Sequence, residues 1–169
     1  MPFLVCDSSF LILVSKLEMI NLLTQLFDKI EIPKAVFDEV VEVGKILKKI
    51  DAYRIEKFIK DKQIRVEDIK NIEERNKIMG DFNIHEGEAE AIILYLEKNA
   101  HFLATDDYRA LKAYKVLDIK YFTTLLFIHR CFLQNITTKN KTLRKLNNLQ
   151  TLGWYKQEDL EYFKNKIKN

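Results

Sequence analysis

Carboxylates stand inside apolar sequence at four places in this 169-residue chain: Asp7 in F-L-V-C-D-S-S-F-L-I-L-V (3–14), Glu39 in V-F-D-E-V-V (36–41), Glu88 with Glu90 in G-E-A-E-A-I (87–92), and Asp106 with Asp107 in L-A-T-D-D-Y-R-A (103–110). An ionised carboxylate taken out of water costs several kcal/mol unless it is paired, hydrogen-bonded or bound to a metal. Carboxylates from several segments, with no Ser-His or Cys-His arrangement beside them, suit cations that take oxygen ligands, Mg²⁺ or Mn²⁺. His85, His101 and His129 are too scattered for a zinc set, and neither G-x-G-x-x-G nor G-x-x-x-x-G-K-[ST] occurs. The chemistry left is that of a metal-carboxylate hydrolase.

Each acid also has a plainer role. Asp7 can cap a helix, although Ser8 and Ser9 stand ready to do so instead. Asp106 and Asp107 can be a cap and a first-turn charge, favourable with the helix dipole by about 0.3–1 kcal/mol. Two consecutive acids after a buried strand exceed what capping requires, and a divalent cation would relieve their repulsion. Thr105 would then orient a carboxylate by hydrogen bond. Glu88 and Glu90 lie roughly 200° apart around a helix; Glu88 is expected to face inward and Glu90 to face solvent. Asp38 and Glu42, four residues apart, share a face and read as surface acids, which lets Glu39 point elsewhere.

The elements that would position these acids follow a simple order. Residues 3–6 predict a strand ending at Asp7, and helical spacing runs through 11–28. I-E-I (30–32) predicts a second strand, stopped by Pro33, with a helix over 34–43. Helical periodicity returns over 46–60, a short strand is expected over 64–66, and a charged helix over 69–79. Residues 85–97 give the strongest helix signal. H-F-L-A (101–104) then predicts a strand running into T-D-D, a helix, a further strand around 118–122, and helices over 123–133, 137–148 and 157–167. Alternating strands and helices imply a three-layer α/β/α fold with a central parallel sheet. Both strands that end in acids would open onto the crevice at the carboxyl ends of the strands, where such sheets bind ligands.

With 47% apolar and 31% charged residues, only 4 Gly and 2 Pro, and no linker or repeat, the chain reads as one domain over 1–150 with a helical C-terminal extension over 151–169. Cys6 and Cys131 lack C-x-x-C spacing, which fits a reducing compartment. The N-terminus lacks a basic n-region and no stretch is long enough to span a bilayer, so a cytoplasmic protein without membrane contact is expected. From Gln134 onward eight Lys or Arg face three Asp or Glu, a net +5 in a chain of net +3. Such a segment can contact phosphates, or be an ordinary solvated helix surface.

Taken in order, D-S-S-F-L-I (7–12), V-F-D-E-V-V (36–41), G-E-A-E-A-I (87–92) and L-A-T-D-D-Y-R-A (103–110) resemble the PIN-domain family, over roughly residues 1–150. The nearest likeness is to stand-alone prokaryotic PIN proteins related to VapC-like toxins. The resemblance implies a metal-dependent endoribonuclease acting on single-stranded or looped RNA. Asp7, Glu39, Glu88 and Asp107 would hold Mg²⁺ or Mn²⁺, and Asp106 would share or replace the last role. It further implies a homodimer and a small antitoxin partner. Two departures stand out: Y-F-T-T-L-L-F-I-H-R lacks the glycines related proteins often carry there, so Tyr121 and Phe122 would narrow or line the groove, and the excursion 45–80 is long. The alternatives are a non-catalytic PIN-like RNA-binding or assembly module and, last, a dehalogenase-like domain with Asp7 as nucleophile, for which the expected D-x-D fails because position 9 is Ser.

Overall fold

A computed structural model describes residues 2–153 and 155–168. Its strands are β1 (Phe3–Cys6), β2 (Lys29–Pro33), β3 (Arg65–Glu67), β4 (Phe102–Ala104) and β5 (Tyr121–Phe122). Helices α1 (Ser8–Lys16) and α2 (Ile20–Leu26) follow β1. After β2 come α3 (Lys34–Phe37), a π-helical stretch (Asp38–Val43), α4 (Gly44–Ile46) and α5 (Ile50–Lys60). Helices α6 (Ile72–Phe82) and α7 (Glu86–Lys98) lie between β3 and β4, α8 (Tyr108–Val116) between β4 and β5, and α9 (Thr124–Leu133), α10 (Lys139–Leu152) and α11 (Gln157–Lys168) complete the order.

All strand pairs are parallel, in the order β3-β2-β1-β4-β5. The chain therefore leaves β1 toward one edge and returns through β4 to build the other. Alternation along the strands sorts the core into two layers. Leu4, Cys6, Ile30, Ile32 and Ala104 pack against α1, α2, α5, α9, α10 and α11, whereas Phe3, Val5 and Leu103 pack against α6, α7 and α8. The expected three-layer α/β/α sheet is what forms. Helix α10 passes through residue 150, and Leu160 and Ile167 of α11 are buried in the same cluster as Leu146 and Leu149.

Two expected helices are broken. The apolar run 11–28 divides into α1 and α2, bent by 113°, where Met19 N–H reaches the Val14 carbonyl and Glu18 adopts φ 56°. Both halves are apolar on the face that meets the sheet, so periodicity runs smoothly across a corner that only packing requires. Likewise 46–60 divides at Lys48 (φ 54°), and the strand expected from 118 begins at Tyr121, after a turn with Asp118 at φ 53°. Among the described residues no single helix is long and apolar enough to cross a membrane.

Candidate active site

Helix α1 starts where β1 stops, and Asp7 occupies the junction. Its backbone N–H donates to the Ala104 carbonyl at 3.0 Å, tying the ends of β1 and β4 together. Asp7, not Ser8 or Ser9, is the N-cap: Oδ1 accepts from Phe10 N–H at 3.0 Å and from the Ser9 hydroxyl at 2.8 Å, while Oδ2 accepts from the Thr105 hydroxyl. The side chain is fully buried. Burial drives its carboxyl up to about 7, with Asp106 adding a smaller push; the bonds from Phe10, Thr105 and Ser9 restrain the rise. A carboxyl poised there is easily ionised by an incoming cation. Capping thus falls to the very acid that the sequence puts forward for chemistry.

Ser8, freed from capping, donates to Glu39 Oε2 at 2.6 Å. Glu39 stands in the π-helical stretch, a local widening often found at functional sites. It packs against Gly87 of α7, where a Cβ would stand 3.4 Å from both Glu39 Oε2 and Val36 Cγ2, at the edge of ordinary contact. Glu88, the next residue, is half-buried and accepts from His85 N–H at 2.6 Å in a capping box. Burial raises its carboxyl above the usual range, and the charges of Asp107 and Glu39 add to that. Asp107 is the N-cap of α8, with Oδ1 accepting from Arg109 N–H at 2.7 Å and Ala110 N–H at 3.0 Å. Its own N–H donates to Thr105 Oγ1 at 3.0 Å. Thr105 orients Asp7, as expected.

Asp106 turns to a different set of partners. Its Oδ1 accepts from Thr124 N–H at 2.9 Å and from the Tyr155 hydroxyl, its Oδ2 accepts from the Thr124 hydroxyl, and its N–H donates to Ser9 Oγ at 2.8 Å. The carboxylate, raised mainly by burial, ties the end of β4 to the start of α9 and to the segment between α10 and α11. Tyr155 and Tyr114, a fully buried residue of α8 close to Asp7, Glu88 and Asp107, were not legible as site neighbours. Neither carries a motif; only the folded chain brings them there.

Two expectations require correction. Glu90 does not face solvent: it is 7% exposed, accepts from Ala35 N–H at 3.1 Å and pairs with Arg75 at 3.2 Å. Helix α7 is covered on both flanks, by α3 and by α6, so the direction opposite Glu88 is not open water. Phe122 joins Phe27 and Phe102 in edge-to-face contacts at 5.6 and 4.9 Å, lining a cavity of about 570 Å³ with Pro2 and Arg130, and Tyr121 packs in the α7–α8 layer. Of the basic C-terminal residues, Lys145 donates to the Leu17 carbonyl, Lys139 to that of Lys168, and Lys164 is buried beside Gln150.

The acids supply hard oxygen donors and raise one another's protonation, which a divalent cation would relieve. In donor chemistry and charge they fit such an ion. As they stand, each is held by donors of its own, and among the described residues no three Asp, Glu, His or Cys side chains are grouped to hold a metal.

Comparisons with known proteins agree on the fold. The family DUF3368, described as a PIN domain, matches residues 3–164. A solved structure, that of PAE2754 from Pyrobaculum aerophilum, superposes with a TM-score of 0.55 at 15% identity, covering 75% of this chain and 95% of that one. No curated protein matches.

Proposed function

The chain belongs to the PIN-domain family, and from that premise we propose that it is a metal-dependent endoribonuclease whose acid site is formed by Asp7, Glu39, Glu88 and Asp107. The nuclease fold is that of the family. One observation carries the finer reading: Asp7 and Thr105–Asp107 follow β1 and β4, adjacent strands from which the chain departs in opposite directions, and the crevice at such a switch point is where open α/β sheets bind ligands.

Asp7, Glu39, Glu88 and Asp107 would hold the ion, Mg²⁺ or Mn²⁺; when bound, it would polarise a phosphoryl oxygen and lower the pKa of a water. The chain's own groups do the rest. Thr105 and Phe10 N–H fix the Asp7 carboxylate in place, and Ser8 fixes Glu39. Asp106 is assigned a supporting part, holding α9 and the C-terminal segment against the end of β4. RNA is the proposed substrate. The exposed Ile46, Leu47, Ile50 and Tyr53 offer an apolar face for the expected homodimer, and a small antitoxin is the further partner that the VapC likeness suggests.

The test is cleavage of a labelled, structured RNA with Mn²⁺, Mg²⁺ or chelator, with Asp7→Asn beside it. Metal-dependent cleavage absent from the variant supports the assignment; cleavage retained by the variant removes it. A second reading, a non-catalytic PIN-like RNA-binding module, is favoured by the protein donor that each acid already holds. Failure to bind Mn²⁺ in calorimetry, together with retained RNA binding, would select it.

A further inference from the structure

Tyr114 is wholly buried, yet among the described residues its hydroxyl has no hydrogen-bond partner. A buried hydroxyl left unpaired costs about 1–3 kcal/mol, and phenylalanine would fill the same space without that cost. Glu31 Oε2 shares the condition, but the Glu31 carboxylate is paired with Lys29 at 2.8 Å. Nothing comparable compensates Tyr114. Its surroundings are those of the acid site: Asp7, Glu88 and Asp107 stand near it, and together with burial they keep the phenol protonated. A phenol is a donor at neutral pH, and this one is buried among acceptors without bonding any of them. Thr105 is the neighbouring side chain with a hydroxyl that acts on the phenol, yet the two stand outside hydrogen-bond geometry, and Thr105 donates its own proton to Asp7 Oδ2.

We propose that Tyr114 is a positioning residue of the metal centre, its hydroxyl donating to Thr105 Oγ1 once Asp7 ligates a divalent cation, so that Tyr114, Thr105 and Asp7 form one hydrogen-bonded chain. The inference rests on the metal-centre reading above. A donor behind Thr105 polarises the bond that Thr105 gives to Asp7. It also holds the ligand's orientation, a role whose loss typically costs 10–100-fold in metal affinity. Where it stands, the hydroxyl makes no bond that phenylalanine would lose.

The experiment is Mn²⁺ calorimetry and metal-free melting on the parent, Tyr114→Phe, Thr105→Val and the double variant. Tyr114→Phe should bind Mn²⁺ about 10-fold more weakly while melting at the same or a higher temperature, and the double variant should bind no more weakly than Thr105→Val alone. Binding by Tyr114→Phe within about twofold of the parent would overturn the proposal. So would an undiminished further loss in the Thr105→Val background, because the two sites would then act independently. A lower metal-free melting temperature for Tyr114→Phe would also overturn it, by showing that the hydroxyl is already partnered. A parent chain that binds no Mn²⁺ would remove the underlying reading and this inference with it, a result distinct from the other three.

Discussion

The Thr105 hydroxyl donates to Asp7 Oδ2 across 98 residues of sequence. This bond, with Asp7 N–H on the Ala104 carbonyl, fastens the carboxyl ends of β1 and β4 to each other at the point where the sheet's connections diverge. It also settles how a carboxylate can end a buried strand. Asp7 accepts three protein hydrogen bonds, yet burial still holds its carboxyl at about 7.

Metal-free stability should depend on pH through Asp7. A carboxyl whose folded value lies near 7, above the ordinary 3.8, binds more protons folded than unfolded between those values, so its contribution to stability declines as pH rises from about 4 to about 7. At 1.36 kcal/mol per unit the ceiling is about 4 kcal/mol. Denaturant titrations from pH 4 to 8 should show this decline in the parent and a shallower one in Asp7→Asn, where only the raised Glu88 and Asp106 remain; the variant should be the more stable chain at pH 8. Parallel pH profiles for the two would contradict the assignment.

Adding the metal should reverse that loss. An ion that binds only the folded chain stabilises it by about 2.7 kcal/mol at a hundredfold excess over Kd. Melting at pH 8 with Mn²⁺ and then with chelator should show a reversible rise that Asp7→Asn lacks. An equal rise in the variant would place the ion elsewhere.

Glu88 and Glu90 should separate by the property they affect. Glu88→Gln keeps an oxygen for His85 N–H and should fold normally while losing Mn²⁺ affinity. Glu90→Gln loses its buried pair with Arg75 and should cost roughly 1–3 kcal/mol of stability. Its Mn²⁺ affinity should match the parent's. Weak binding by folded Glu90→Gln would exchange their roles.

The consecutive acids should divide in the same way. Asp106→Ala strands Thr124 and Tyr155 and should destabilise the chain by about 2–4 kcal/mol. Asp107→Asn leaves the α8 cap able to form and should instead weaken metal binding. Denaturation and calorimetry on both variants check the division; a stable Asp106→Ala that fails to bind Mn²⁺ would make Asp106 the ligand.

Two glycines give a control on the scaffold. A Cβ at Gly44 would stand 2.7 Å from Ala52 Cβ, so Gly44→Ala should push α5 away and cost about 1–3 kcal/mol. At Gly80, in α6, nothing lies within 4 Å, and Gly80→Ala should gain up to about 1 kcal/mol from helix propensity. Thermal melts of the pair measure both signs.

The sequence by itself determined the strands that end in Asp7 and in Thr105–Asp107, the helix opened by Glu86–Glu88, and that the sheet is parallel. These follow from local physics: apolar runs interrupted by a capping acid, and the alternation of strand and helix that a parallel sheet requires. What it could not determine is which neighbour each side chain meets. Spacing placed Glu88 and Glu90 on different faces, but that α7 is covered on both sides was settled by α3 and α6. Asp106 and Asp107 are equivalent in sequence; Thr124 and Tyr155, 18 and 49 residues beyond Asp106, pull one of them aside. The corner between α1 and α2 and the unpaired hydroxyl of Tyr114 have the same origin. Periodicity records that a surface is buried, whereas the partner that buries it is fixed only when distant segments close around it.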